Sequence, residues 1–101
     1  MKPAVFQHVA PTTIDEVLSL LSEHAPDARI LAGGQSLVPL MNFRLSCPSI
    51  LIDLNHVQEL AYIRDDGEAL AIGAMTRERT IENSDLVRHG APLLHEATSY
   101  I

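Results

Sequence analysis

One cysteine and no tryptophan occur among the 101 residues, with two tyrosines and two phenylalanines. The lone Cys47 excludes an internal disulfide and any cysteine-ligated zinc or iron–sulfur site built by this chain alone. A reducing compartment, the cytoplasm, is the expected setting. So few aromatic rings leave little surface for stacking nucleic-acid bases. Basic residues are scarce too: seven Lys and Arg face thirteen Asp and Glu, a net charge of -6 with neutral histidines. That balance argues against a nucleic-acid backbone or an anionic membrane surface as a partner. No apolar run approaches the roughly 18 residues of a membrane span. The start, Met1-Lys2-Pro3-Ala4-Val5-Phe6-Gln7, turns polar too soon for a secretory leader. What remains is an ordinary globular composition, 47% hydrophobic and 20% charged, with length for one modest core.

The first half alternates between strand and helix patterns. Ala4–Val9 reads as an edge strand stopped by Pro11. Thr13 with Glu16 three residues later forms a capping-box pattern. Ile14, Val17, Leu18 and Leu21 then give one apolar helical stripe that ends before Pro26. Ala28–Ala32 reads as a short buried strand broken by Gly33-Gly34. Ser36 is placed to cap a second helix from Leu37 to about Leu45, with Leu37, Leu40, Met41 and Leu45 on one face. Ile50–Leu54 is the clearest strand, apolar and β-branched. Strand, helix, strand, helix, strand implies a small unit around a parallel sheet.

After Asn55 the pattern changes. Two apolar segments flank Asp65-Asp66-Gly67, a hairpin signature. Thr76 is expected to cap a short helix running through Asn83, and Ser84 another that stops at a left-handed Gly90. Pro92 opens a last helix with Leu93, Leu94, Ala97 and Ile101 as its apolar face. The expected division is 1–55 and 56–101, and the second part reads as truncated.

Chemistry concentrates in Ala32-Gly33-Gly34-Gln35-Ser36-Leu37. Paired glycines between a strand and a helix let backbone amides approach an anion, most usefully a phosphate. The competing reading is a turn that needs glycine for its geometry alone. No lysine follows to make a P-loop, and the Gly-x-Gly-x-x-Gly dinucleotide fingerprint is absent. Neither a nucleophile-elbow serine nor a His-Glu-x-x-His motif occurs. The five histidines, His8, His24, His56, His89 and His95, show no ligand spacing, so no metal site is expected. Cys47 reads as a small buried hydrophobe. Asp53 ends an apolar strand, where active-site acids of α/β sheets often sit, but a cap on the following turn is the preferred reading; for Arg44 a surface ion pair is preferred over a phosphate contact. No residue is assigned a catalytic role.

The segment Ala32-Gly33-Gly34-Gln35-Ser36-Leu37 resembles the FAD-binding motif of the medium, flavoprotein subunit of molybdenum hydroxylases. That family includes the aerobic carbon monoxide dehydrogenases and bacterial xanthine dehydrogenases. Pro39–Leu45, Ile52-Asp53-Leu54-Asn55 and Ile72-Gly73-Ala74-Met75-Thr76 extend the likeness in the same order. The resemblance implies an α+β FAD-binding domain of the PCMH/VAO type (p-cresol methylhydroxylase, vanillyl-alcohol oxidase), with a complete β-α-β-α-β first subdomain and the start of a second. It implies that Ala32, Gly33, Gly34, Gln35, Ser36 and Leu37 bind the FAD diphosphate, Ser36 through its hydroxyl. It also implies electron transfer from iron–sulfur clusters to FAD and an external acceptor. The implied partners are a molybdopterin-binding large subunit and an iron–sulfur small subunit in a hetero-oligomer. Two other readings stand beside it: a fragment that docks on partners without holding FAD, and another flavin reductase of the same fold.

Overall fold

The computed structural model describes residues 2–100, and the chain divides into two compact units, 1–58 and 59–101. Ile101, expected on the apolar face of the last helix, lies outside the described residues. The architecture is α+β in type.

In the first unit, β1 (Gln7–Val9), α1 (Ile14–His24), β2 (Ala28–Leu31), α2 (Leu37–Asn42) and β3 (Ile50–Asp53) follow one another. The three strands form a parallel sheet in the order β1-β3-β2. The central strand is the most apolar one, and Ile50, Leu51 and Ile52 are buried because both of its edges and both faces are covered. Val17 of α1, Ala28, Met41 and Val57 complete the core. Helix α1 starts as its sequence implies: the Thr13 hydroxyl accepts the Glu16 N–H at 3.2 Å. Its end is set by Ala25, which is extended ahead of Pro26.

Four expectations need correction. β1 is confined to Gln7–Val9; its ladder begins with the Gln7 N–H on the Ser49 carbonyl, and the Ser49 N–H that would extend it donates to the Asp27 carbonyl at 3.0 Å instead. β2 is not a buried strand: it lies at the sheet edge with one neighbour, and Arg29 and Ile30 are exposed. Helix α2 stops at Asn42 rather than Leu45. Arg44 there takes the left-handed conformation, φ 57°, while the Leu45 N–H reaches the Leu40 carbonyl and the Arg44 N–H that of Met41. These are the paired bonds of a Schellman stop, here made without glycine. Only Met41 of the predicted apolar face is buried, and Leu45 is left exposed by the stop. Cys47, in the segment that follows, is exposed; its Sγ donates to the Arg44 carbonyl at 3.5 Å.

In the second unit, β4 (Ile63–Asp65) and β5 (Leu70–Ile72) form an antiparallel hairpin. Its turn is closed by the Gly67 N–H on the Asp65 carboxylate at 2.8 Å, with Gly67 at φ 94°. Gly73 extends the pairing through its N–H to the Tyr62 carbonyl, and a Cβ there would run into the Leu60 carbonyl. Helices α3 (Glu78–Glu82), α4 (Asp85–Gly90) and α5 (Pro92–Thr98) follow. Helix α4 lies against both hairpin strands and against α5, with Val87 fully buried. Ser84 caps it as expected, accepting the Val87 N–H at 3.3 Å.

Three expectations differ here. Thr76 does not cap α3, whose N-cap is Arg77; its hydroxyl binds the Tyr62 backbone instead. Gly90 is the last residue of α4 and is not left-handed. The inward face of α5 is not Leu93, Leu94 and Ala97. The least exposed positions are Ala91, His95 and Thr98, spaced four and three apart, and Leu93 is 79% exposed. Packing against α3 and α4 selects that stripe, and the Thr98 hydroxyl is satisfied by the His95 carbonyl at 2.8 Å.

Candidate cofactor site

Strand β2 delivers the chain to the C-terminal edge of the parallel sheet, the edge where α/β units bind ligands. Leu31 is its last residue, paired with Asp53, and its carbonyl accepts the Leu54 N–H at 3.1 Å. The chain then turns through Gly33 and Gly34, both at positive φ, 86° and 87°. An L side chain rarely adopts either conformation.

The two glycines have different surroundings. A Cβ on Gly34 would sit 3.0 Å from Val38 Cγ2 and 3.3 Å from Leu31 Cδ1, so close packing explains that residue. A Cβ on Gly33 would meet only the Gln35 side chain, whose far end is free to swing away. Gly33, Gln35 and Ser36 are exposed, and Gly34 is half-buried. The N–H groups of Ala32 through Ser36 donate to no partner among the described residues. Ser36 precedes α2 in a helical conformation and makes no side-chain cap bond, contrary to expectation; the first bond into the helix is the Val38 N–H on the Gly34 carbonyl at 3.0 Å. Leu37 is the first helical residue. All six predicted residues therefore form one contiguous turn. It offers open backbone donors and a free hydroxyl, the donor set that a diphosphate requires. The residues present fit that part of FAD.

Sequence reasoning missed one neighbour. The His8 imidazole of β1 and the Asp53 carboxylate of β3 meet at 3.0 Å, Nε2 to Oδ2. Forty-five positions separate them, so no spacing in the sequence signals the pair. Asp53 also does what was expected of it: its other oxygen accepts the Asn55 N–H at 2.9 Å. Burial pushes the Asp53 pKa up, but the Asn55 N–H, the His8 hydrogen bond and the nearby His8 and His56 charges together hold it below the usual carboxylate value.

The other candidates carry no chemistry. No group of three potential ligands could hold a metal among the described residues. The ion pair expected for Arg44 does not form among them. A cavity of about 460 Å³ in the second unit is lined by Asp65, Glu68, Asp85 and His89 with Leu70 and Leu86, an acidic wall unsuited to a diphosphate. No helix is long and apolar enough to cross a membrane among the described residues.

Residues 4–101 match the family model described as the FAD binding domain in molybdopterin dehydrogenase. The chain belongs to this family. It is 42% identical over its whole length to the caffeine dehydrogenase subunit beta of Pseudomonas sp. strain CBB1, covering 34% of that protein. It is 43% identical to the carbon monoxide dehydrogenase medium chain of Hydrogenophaga pseudoflava, covering 35% of it. Among solved structures, carbon monoxide dehydrogenase from Hydrogenophaga pseudoflava superposes on the whole chain with a TM-score of 0.94 at 42% identity, over 35% of that chain. Quinoline 2-oxidoreductase from Pseudomonas putida 86 gives 0.93 at 40%, again over 35%. This FAD-binding chain thus spans about a third of the length of the relatives it matches.

Proposed function

We propose that the chain supplies the diphosphate-binding part of the FAD subunit of a molybdopterin-dependent dehydrogenase. One observation carries the reading: two consecutive left-handed glycines follow an edge strand and leave a run of backbone N–H groups unpaired among the described residues at the sheet's C-terminal edge. When bound, FAD supplies the redox chemistry, accepting electrons and passing them to an external acceptor. The chain's own residues bind and orient. The amides of Ala32 to Leu37 hold the diphosphate, the Ser36 hydroxyl donates to it, and Gly33 lets the backbone approach. No side chain of this chain moves a substrate proton in this reading; substrate chemistry belongs to a molybdopterin-binding large subunit, with an iron–sulfur small subunit between. A cytoplasmic hetero-oligomer is the assembly in which such a relay works.

The test is an absorption spectrum of the purified chain before and after incubation with FAD and desalting, alongside Gly33→Ala. The alanine meets only the movable end of Gln35 but is strained at φ 86° and covers the approach to the backbone. Flavin retained by the parent chain and lost in the variant, with the fold intact by circular dichroism, supports the reading. Equal flavin in both reduces the glycine turn to structure.

A further inference from the structure

The parallel sheet of the first unit has two outer strands. β1 spans three residues, a short template for further pairing. β2 is longer, and its outer edge meets no other strand among the described residues. Along a strand, the N–H and C=O of one residue point to the same side, and the side alternates from residue to residue. The Leu31 carbonyl accepts the Leu54 N–H, so Leu31 faces β3, and so does Arg29 two positions earlier. Ala28 and Ile30 therefore turn their backbone groups outward. Ile30 is 40% exposed, and no hydrogen bond holds its outward groups among the described residues. Such an edge is a template for another strand.

One side chain stands in the way. The Arg29 guanidinium folds back along this edge, and its Nη1 donates to the Ala28 carbonyl at 3.0 Å and to the Pro26 carbonyl at 3.1 Å. The outward carbonyl of Ala28 is thus already bonded. A hydrogen bond from a charged donor is stronger than the neutral bond that an incoming N–H offers in exchange. Arg29 forms no ion pair among the described residues, so no carboxylate offsets its charge at the edge.

We infer that Arg29 closes the outer edge of β2 against strand addition by a second copy of this chain. A second copy is the occupant because the edge is complementary to itself in one register. Antiparallel pairing of Ala28 with Ile30 of the second copy brings together the outward groups of both strands, and symmetry forms the reverse pair as well. The same register sets Arg29 opposite Arg29 of the second copy. The guanidinium therefore opposes the pairing twice: it occupies the Ala28 carbonyl, and like charges directly opposite each other are destabilising. Without Arg29, β2 carries only Ala28, Ile30 and Leu31, an apolar edge with no charge to resist a neighbour.

The experiment follows self-association of the full chain by sedimentation velocity over a range of concentrations, for the parent, Arg29→Ala and Arg29→Met. Amide hydrogen exchange at Ile30 is read on the same samples, and circular dichroism checks each fold. Arg29→Ala is expected to associate about tenfold more tightly than the parent, the equivalent of one added hydrogen bond. Its Ile30 N–H should exchange more slowly as concentration rises, while that of the parent does not change. Arg29→Met keeps the length of the stem without charge or donors, and it decides in the same way if Arg29→Ala fails to fold. An association constant equal to the parent's overturns the inference. Tighter association that leaves the Ile30 exchange unchanged overturns it as well, because another surface then does the pairing.

Discussion

The hydroxyl of Thr76 closes on both backbone polar groups of Tyr62, accepting its N–H at 3.1 Å and donating to its carbonyl at 3.0 Å. The same carbonyl accepts the Gly73 N–H at 2.8 Å. One side chain thus continues the hairpin ladder past the end of its strands, tying the entry to β4 to the exit from β5. Replacing Thr76 with valine keeps the shape and removes both bonds. A loss of about 1–2 kcal/mol is expected, one modest net contribution per bond. Urea denaturation followed by circular dichroism measures it, and Thr76→Ser should restore most of the loss.

Arg44 holds a conformation that costs an L residue roughly 1–2 kcal/mol, at φ 57° in the stop of α2. Its side chain is exposed. Arg44→Gly removes that cost and adds back part of it through the greater freedom of the unfolded chain. A net gain of about 0.5–1 kcal/mol is expected. A thermal melt that shows no gain would mean the guanidinium has a stabilising contact of its own.

Ser36 separates stability from binding. Its side chain makes no cap bond to α2, so Ser36→Ala should leave the unfolding midpoint nearly unchanged, within about 0.5 kcal/mol. The same variant should weaken FAD binding by about tenfold, the loss of one hydrogen bond to a charged group. A drop in stability without a change in FAD affinity would return Ser36 to a structural role.

Asp53 predicts a signed acid response. Its pKa is lowered in the folded chain, so it contributes stability that is present above its unfolded value. That contribution is lost as pH falls through the depressed folded value. Unfolding free energy should therefore decline in the acid range more steeply for the parent chain than for Asp53→Asn. Parallel curves for the two would show that the pair with His8 adds nothing to folding.

Local chemistry carried much of the architecture. Thr13 and Ser84 cap their helices as their positions imply, because a cap is a bond across three residues and needs no distant partner. The strand at Ile50–Asp53 was legible from its apolar run, and the hairpin from Asp65-Asp66-Gly67. The glycine turn was legible as well, since positive φ at adjacent positions can be read from residue type.

The tertiary structure decided what depends on neighbours far along the chain. β2 looked buried, yet it became an edge because β3 returned between it and β1. Thr76 had a cap position and found a better partner in Tyr62, fourteen residues away. The face of α5 was chosen by packing, which covered Thr98 and left Leu93 in solvent. His8 and Asp53, 45 residues apart, meet only because a parallel sheet sets their strands side by side. Sequence by itself determined most of the elements and the glycine turn, because those rest on bonds within a few residues. The order of the strands, the buried faces and the His8–Asp53 pair rest on contacts that exist only after the chain has folded.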